Sequence, residues 1–156
     1  MIKENTKVKG HCTATLYESE EDYKKRIVKK KYEFDNLILT DGVEIFADLI
    51  GGLGGQTKLQ CVGAGDNNTA PGVGDTDLIG AELGFKITSN SQIASGKTRY
   101  EVTFTAGQAT GTWKEAILAD TVAAKGARKC ASRVSFGDIV KGAGEVLTWV
   151  WDISFS

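Results

Sequence analysis

The alternation of apolar and polar side chains is strongest at the end of the chain. Leu147, Trp149, Trp151, Ile153 and Phe155 share one face of Val146–Phe155, and Val146, Thr148, Val150, Asp152 and Ser154 share the other. That period of two is the signature of a half-buried strand, and its large residues predict a central strand whose tryptophans serve as core. The same period recurs at His11–Tyr17, where Cys12, Ala14 and Leu16 share a face, and again at Tyr23–Phe34 with Val28, Tyr32 and Phe34. With the acidic stretch Glu18–Asp22 as the tip, these segments predict an N-terminal β-hairpin over about 11–34.

Between Thr40 and Ile50 the period changes. Val43, Phe46, Ala47 and Ile50 fall at helical spacing, with Ile45 and Leu49 widening the stripe, which predicts one short helix. Asp41 is the expected cap, Glu44 completes a capping-box pattern, and Gly51 or Gly52 is suited to the left-handed C-terminal position. Further strands are expected at Lys58–Val62, Phe85–Ser89, Arg99–Thr105, Gly111–Leu118 and Lys129–Phe136. A short helical turn is expected at Asp75–Leu83, a polar tip at Ser89–Gly96 and a turn at Lys141–Glu145. The expected fold is mainly β: an antiparallel β-sandwich, jelly-roll or immunoglobulin-like, of about eight strands with one short α-helix. Residues 1–156 are expected to form a single domain.

Composition narrows the picture. Nineteen glycines stand against one proline, as expected for many tight turns. The formal net charge of −1 gives no electrostatic basis for a nucleic-acid partner. The lysines of Lys24–Lys31 are expected on the solvent face of an edge strand, where they discourage aggregation, with Lys29 and Lys31 as interface candidates. No apolar run reaches the ~20 residues of a membrane helix, and no signal peptide opens the chain, so synthesis in a reducing cytoplasm is expected. Cys12, Cys61 and Cys130 lack zinc-ligand spacing and read as buried small apolar residues.

No catalytic constellation can be assembled. His11 is the only histidine and lies on the expected polar face of a strand. Ser95-Gly96-Lys97-Thr98 resembles the end of a phosphate-binding loop, but a strand rather than a helix follows it. Oxygen ligands concentrate in one loop, at Asp66, Asn67, Asn68, Asp75 and Asp77, which makes Asp66, Asp75 and Asp77 calcium candidates; the same residue types form turns without a metal. Trp113, flanked by Lys114 and Glu115, is the aromatic most open to an interface role.

Four groups of residues carry a resemblance over roughly residues 36–156. The first is Asn36-Leu-Ile-Leu-Thr-Asp-Gly42 leading to Ala47-Asp48-Leu49-Ile50. The second is Val62-Gly63-Ala64-Gly65, then Thr69-Ala70-Pro71, Asp75-Thr76-Asp77-Leu78 and Glu82-Leu83. The third is Tyr100-Glu101-Val102-Thr103-Phe104 with Gly111-Thr112 and Glu115-Ala116, and the last is Arg133-Val134-Ser135-Phe136 with Ile139 and Lys141. In this order they resemble a family of small virion proteins of tailed bacteriophages, described as tail, tail-fibre or other structural proteins. The resemblance implies a β-rich virion component that self-associates or docks on other virion proteins, without catalytic residues or cofactor. The expected partners are other virion proteins and further copies of the chain, not nucleic acid or membrane. The alternative is a host-surface or glycan-binding module at a virion tip, assisted by calcium, which a solvent-exposed Trp113 near the Asp66–Asp77 loop would favour.

Overall fold

The computed structural model describes residues 7–52 and 58–156. The fold is mainly β and antiparallel, as the alternation predicts. Its nine strands are β1 (Val8–Tyr17), β2 (Lys30–Ile38), β3 (Cys61–Gly65), β4 (Glu82–Ile87), β5 (Ser89–Ala94), β6 (Lys97–Phe104), β7 (Gly111–Ala119), β8 (Cys130–Lys141) and β9 (Val146–Phe155). They form one sheet in the order β4-β3-β7-β8-β2-β1-β9-β6-β5, nearly closed as a barrel. The two facing layers are halves of that continuous sheet, joined through β2, rather than two separate sheets. Residues 30–36 of β2 pair with β1, and only Leu37 and Ile38 pair with β8. The lysine-bearing part of β2 is thus a local edge inside the sheet.

The closing strand behaves as its pattern predicts. β9 lies between β1 and β6, and Leu147, Trp149, Trp151 and Ile153 are buried. Phe155 departs from the stripe and is 41% exposed. Trp149 is the hub of the aromatic core, with Phe34, Trp113, Phe136 and Trp151 within 6.3 Å centroid to centroid.

Five local expectations need correction. Tyr23–Val28 is not strand: Glu20–Lys25 forms a short helix, α1. Ser19 caps it by accepting from the Asp22 amide at 3.1 Å, and Glu20, Glu21 and Asp22 in the first turn with Lys24 and Lys25 in the last suit the helix dipole. The second helix, α2 (Thr40–Gly51), lies where the apolar spacing puts it, but its N-cap is Leu39, without a side-chain cap; Asp41 sits inside the first turn. Asp75–Leu83 forms no helix. Ser89–Ala94, expected as a loop tip, is itself strand β5, because the tight turn at Ser95–Gly96, with Gly96 at φ +69°, folds it back onto β6. The strand expected at Lys58–Val62 begins at Cys61. Leu53–Gly55 of the expected helix-ending glycine stretch lies outside the described residues, whereas Gly52 takes the left-handed C-cap at φ +66°.

Helix α2 docks closely on β8. The Leu39 amide donates to the Ala131 carbonyl at 3.0 Å, and a Cβ on Gly42 would meet the Ala131 carbonyl oxygen at 2.1 Å. The docking buries Ile45, while Val43, Leu49 and Ile50 remain exposed. No helix among the described residues is long and apolar enough to cross a membrane.

A backbone oxygen cannot rotate away as a side chain can, so Gly42→Ala must displace the helix. Overpacking of this kind costs about 1–3 kcal/mol. The expected outcome is a loss of about 2–3 kcal/mol in urea unfolding, with a melting temperature lower by roughly 4–10 °C. A variant within about 0.5 kcal/mol of the parent would show that the contact is soft.

Candidate functional site

The loop carboxylates singled out in the sequence, Asp66, Asp75 and Asp77, lie in the loop between β3 and β4, and Asp75 reaches Arg133 on the outer face of β3, β7 and β8. A backbone irregularity creates this face. The β7–β8 register shifts between Trp113 and Glu115, so Trp113 turns into the main core while Glu115 and Ile117 point outward beneath the loop. Trp113 is therefore fully buried, its indole Nε1 donating to the Ala109 carbonyl at 2.7 Å. A buried Trp113 has no surface for the interface role considered for it, and the exposure that would have favoured a glycan site is not there. Strict alternation across Lys114 and Glu115 gave no sign of the shift.

Two buried arginines hold the loop down. Arg133 on β8, fully buried, donates through Nε to Glu115 at 2.9 Å, through Nη1 to Asp75 at 3.0 Å and through Nη2 to the Thr69 carbonyl at 3.0 Å. Glu115, also fully buried, in turn accepts from the amides of Ile79 at 3.1 Å and Gly80 at 2.6 Å. Arg128 contacts Asp77 at 2.8 Å and Glu82 at 2.6 Å, and its guanidinium lies 4.9 Å from the Phe85 ring centroid. Burial opposes the Arg128 charge, but its bonds to Asp77 and Glu82 outweigh that and hold it more basic than an ordinary arginine. Asp77 also accepts from the Gly126 amide at 2.7 Å, and Asp66 accepts from the Ala81 amide at 2.7 Å.

Each calcium candidate thus has a protein donor on its carboxylate, and among the described residues no group of three or more His, Cys, Asp or Glu is arranged to hold a metal. The same ties explain why Asp75–Leu83 is not helical: side chains two residues apart reach separate arginines along an extended path. They explain a motif glycine as well, since a Cβ on Gly65 would meet Glu115 Oε1 at 2.5 Å. Beneath the loop, Leu78 closes a second small core with Leu39, Cys61, Ile117, Ala119 and Cys130. Sequence reasoning did not single out Arg128, Arg133 or Glu115 as a site. The available signal was charged residues on or beside segments that otherwise read as strand, Glu115 within Gly111–Leu118, Arg133 within Lys129–Phe136 and Arg128 just before it.

The three cysteines are free and buried, as expected. Burial pushes the Cys61 thiol up to about 11 and also raises those of Cys12 and Cys130. His11 lies on β1 beside Asp35, with Nδ1 3.0 Å from the carboxylate.

Of the interface candidates, Lys31 is exposed and lies 3.6 Å from Glu33. Lys29 bridges Glu18, at 2.7 Å, and Glu145, and these two carboxylates raise its affinity for a proton. Burial opposes ionisation of Glu145, but the Lys29 hydrogen bond, the Gly142 amide and the charges of Lys29 and Lys141 hold its carboxyl below the ordinary 4.5. Lys141, fully buried, donates to the Thr105 carbonyl at 3.1 Å, and burial lowers its pKa. Elsewhere Phe46, Leu49 and Ile50 of α2 line an apolar groove of about 200 Å³ with Tyr100, Ile153 and Phe155.

No protein-family profile, no curated protein and no solved structure matches this chain.

Two outcomes follow from these contacts. Removing one partner of a buried ion pair costs about 3–5 kcal/mol, so Arg133→Met lowers stability by that amount in urea and opens residues 66–81 to limited proteolysis; undiminished resistance of that segment would count against the clamp. Because the folded Glu145 carboxyl is the more acidic state, its contribution is complete above the ordinary carboxylate range and is lost as pH falls through the lower folded value. The difference in melting temperature between the parent and Glu145→Gln is therefore constant from about pH 6 to 8 and narrows below about pH 4. A difference that grows on acidification would contradict this assignment.

Proposed function

We propose that this chain is a structural component of a tailed-bacteriophage virion, in a tail, tail-fibre, adaptor or capsid-surface position, acting through protein–protein assembly. The observation that carries the reading is the use made of the motif residues behind the resemblance. Gly65, Asp75, Asp77, Glu115 and Arg133 are committed to internal ties that fix a loop on a sheet. Meanwhile Leu49, Ile50 and Phe155 stay exposed around one apolar groove, and Val43 is exposed on the same helix. Charges spent on rigidity, together with apolar side chains left outside, suit a part that is held in place by neighbours. The partners on this reading are other virion proteins and further copies of the chain, the location is the virion after synthesis in the host cytoplasm, and no catalytic residue or cofactor is assigned.

The test combines sedimentation or light scattering of the purified chain with mass spectrometry of purified particles. Self-association, or stable binding to another virion protein, together with presence in particles is expected. A strict monomer that binds no virion component and is missing from particles would overturn the reading.

A further inference from the structure

The turn between α1 and β2 holds two aliphatic side chains out in solvent. Ile27 and Val28 are 55% and 48% exposed, yet the turn that carries them is well fixed. Arg26 takes the left-handed C-cap of α1 at φ +60°, and its amide donates to the Tyr23 carbonyl at 3.1 Å. The Ile27 amide donates to the Asp22 carbonyl at 2.9 Å and the Lys29 amide to the Leu16 carbonyl at 2.8 Å. Tyr23 packs edge-on against Tyr17, with 5.2 Å between ring centroids. Little further ordering is needed for this tip to dock, so the entropy cost of binding through it is small.

The cations around the tip are only partly used. Lys25 pairs with Glu21, Lys29 with Glu18 and Glu145, and Lys31 lies beside Glu33. Lys24 and Arg26 are exposed and form no ion pair among the described residues. Helix α2 has the opposite make-up. It carries Asp41, Glu44 and Asp48 and no lysine or arginine, and these three acids likewise form no ion pair among the described residues. On its outward side Val43 and Ala47 are exposed one turn apart, and Glu44 and Asp48 form the row beside them. The tip and α2 lie at opposite ends of β2, nine residues or about 30 Å apart. A tip therefore cannot reach α2 of its own chain.

We infer that the α1–β2 tip of one copy docks on the outward face of α2 of the next, head to tail; this rests on the assembly reading above and names its contact. Ile27 and Val28 cover Val43 and Ala47, while Lys24 and Arg26 meet Glu44 and Asp48. Each surface offers an aliphatic pair flanked by unpaired charges of one sign, and the signs are opposite, so tip against tip and helix against helix are both disfavoured. Such a contact is heterologous and builds a ring or a file of copies rather than a closed pair. It is small, hence weak in isolation, and gains strength when many copies are held together.

The experiment is sedimentation equilibrium of the full chain with charge reversals on each surface. The parent's average mass is expected to rise past that of a dimer between about 10 µM and 1 mM, and less so at high salt. Lys24→Glu with Arg26→Glu reverses the tip, and Glu44→Lys with Asp48→Lys reverses the helix face. Each double variant weakens association at least about tenfold, with a melting temperature within about 2 °C of the parent because the sites are on the surface. An equimolar mixture of the two double variants recovers association, and so does one chain carrying all four substitutions. A parent that associates while both double variants do the same overturns the contact and leaves the assembly reading standing. A parent whose mass levels off at a dimer overturns the head-to-tail arrangement. So does a quadruple variant that stays monomeric with its melting temperature intact. Binding of the parent to phosphatidylserine-rich vesicles, lost on tip reversal and without self-association, assigns the tip to a membrane and overturns pairing with a second copy.

Discussion

Arg133 places a guanidinium on a strand face that no water reaches, and the organisation of half the molecule answers to that charge. A buried cation is tolerable only when its donors are taken up, and here the takers come from three separate segments: Glu115 on β7, Asp75 in the middle of the loop, and the Thr69 carbonyl near its start. Satisfying one side chain thus fixes the path of the loop across β3, β7 and β8. Once the loop is down, Leu78 closes the small core and Arg128 finds Asp77 and Glu82. Ion pairs of this kind add little net stability compared with well-packed apolar residues of the same volume, and their strength lies in the cost of breaking them. The clamp is therefore a device for holding one arrangement of the loop.

The large core works by a different principle. It is aromatic and centred on Trp149, with Trp113 brought in by the register shift on β7. Without that shift Trp113 would share a face with Glu115. One irregular residue, Lys114, thus sends an indole to one side of the sheet and a carboxylate to the other, so that both cores draw on the same strand. This is a common use of a bulge, which re-aims side chains where a regular ladder cannot.

The legible parts of the sequence were those with a strong period. The buried face of β9 from Leu147 to Ile153, helix α2 and the core role of Trp149 and Trp151 followed from spacing alone, whereas Phe155 left the stripe. The illegible parts were set by interactions between distant residues. Nothing near Asp75 or Asp77 announces that arginines 58 and 51 positions later will take them, so loop carboxylates read equally as metal ligands. α1 was missed for a local reason: Ser19 and the acids after it signal a helix start, but the alternation of the flanking strands suggested a simple hairpin. β5 was missed because Ser, Asn and Gln are loop-like in composition, and only the turn at Gly96 makes a strand of them. The surface roles of Lys29 and Lys31 depend on neighbours that the sequence does not reveal.

The division of the three thiols between two cores gives the molecule a built-in pair of clocks. Cys12 belongs to the aromatic core, whereas Cys61 and Cys130 lie beneath the clamped loop. A thiol reagent reaches Cys12 only when the sheet itself opens. Cys61 and Cys130 become reachable as soon as the loop lifts, even if the sheet stays intact. The ratio of the two labelling rates in the unmodified chain therefore separates local opening from global unfolding.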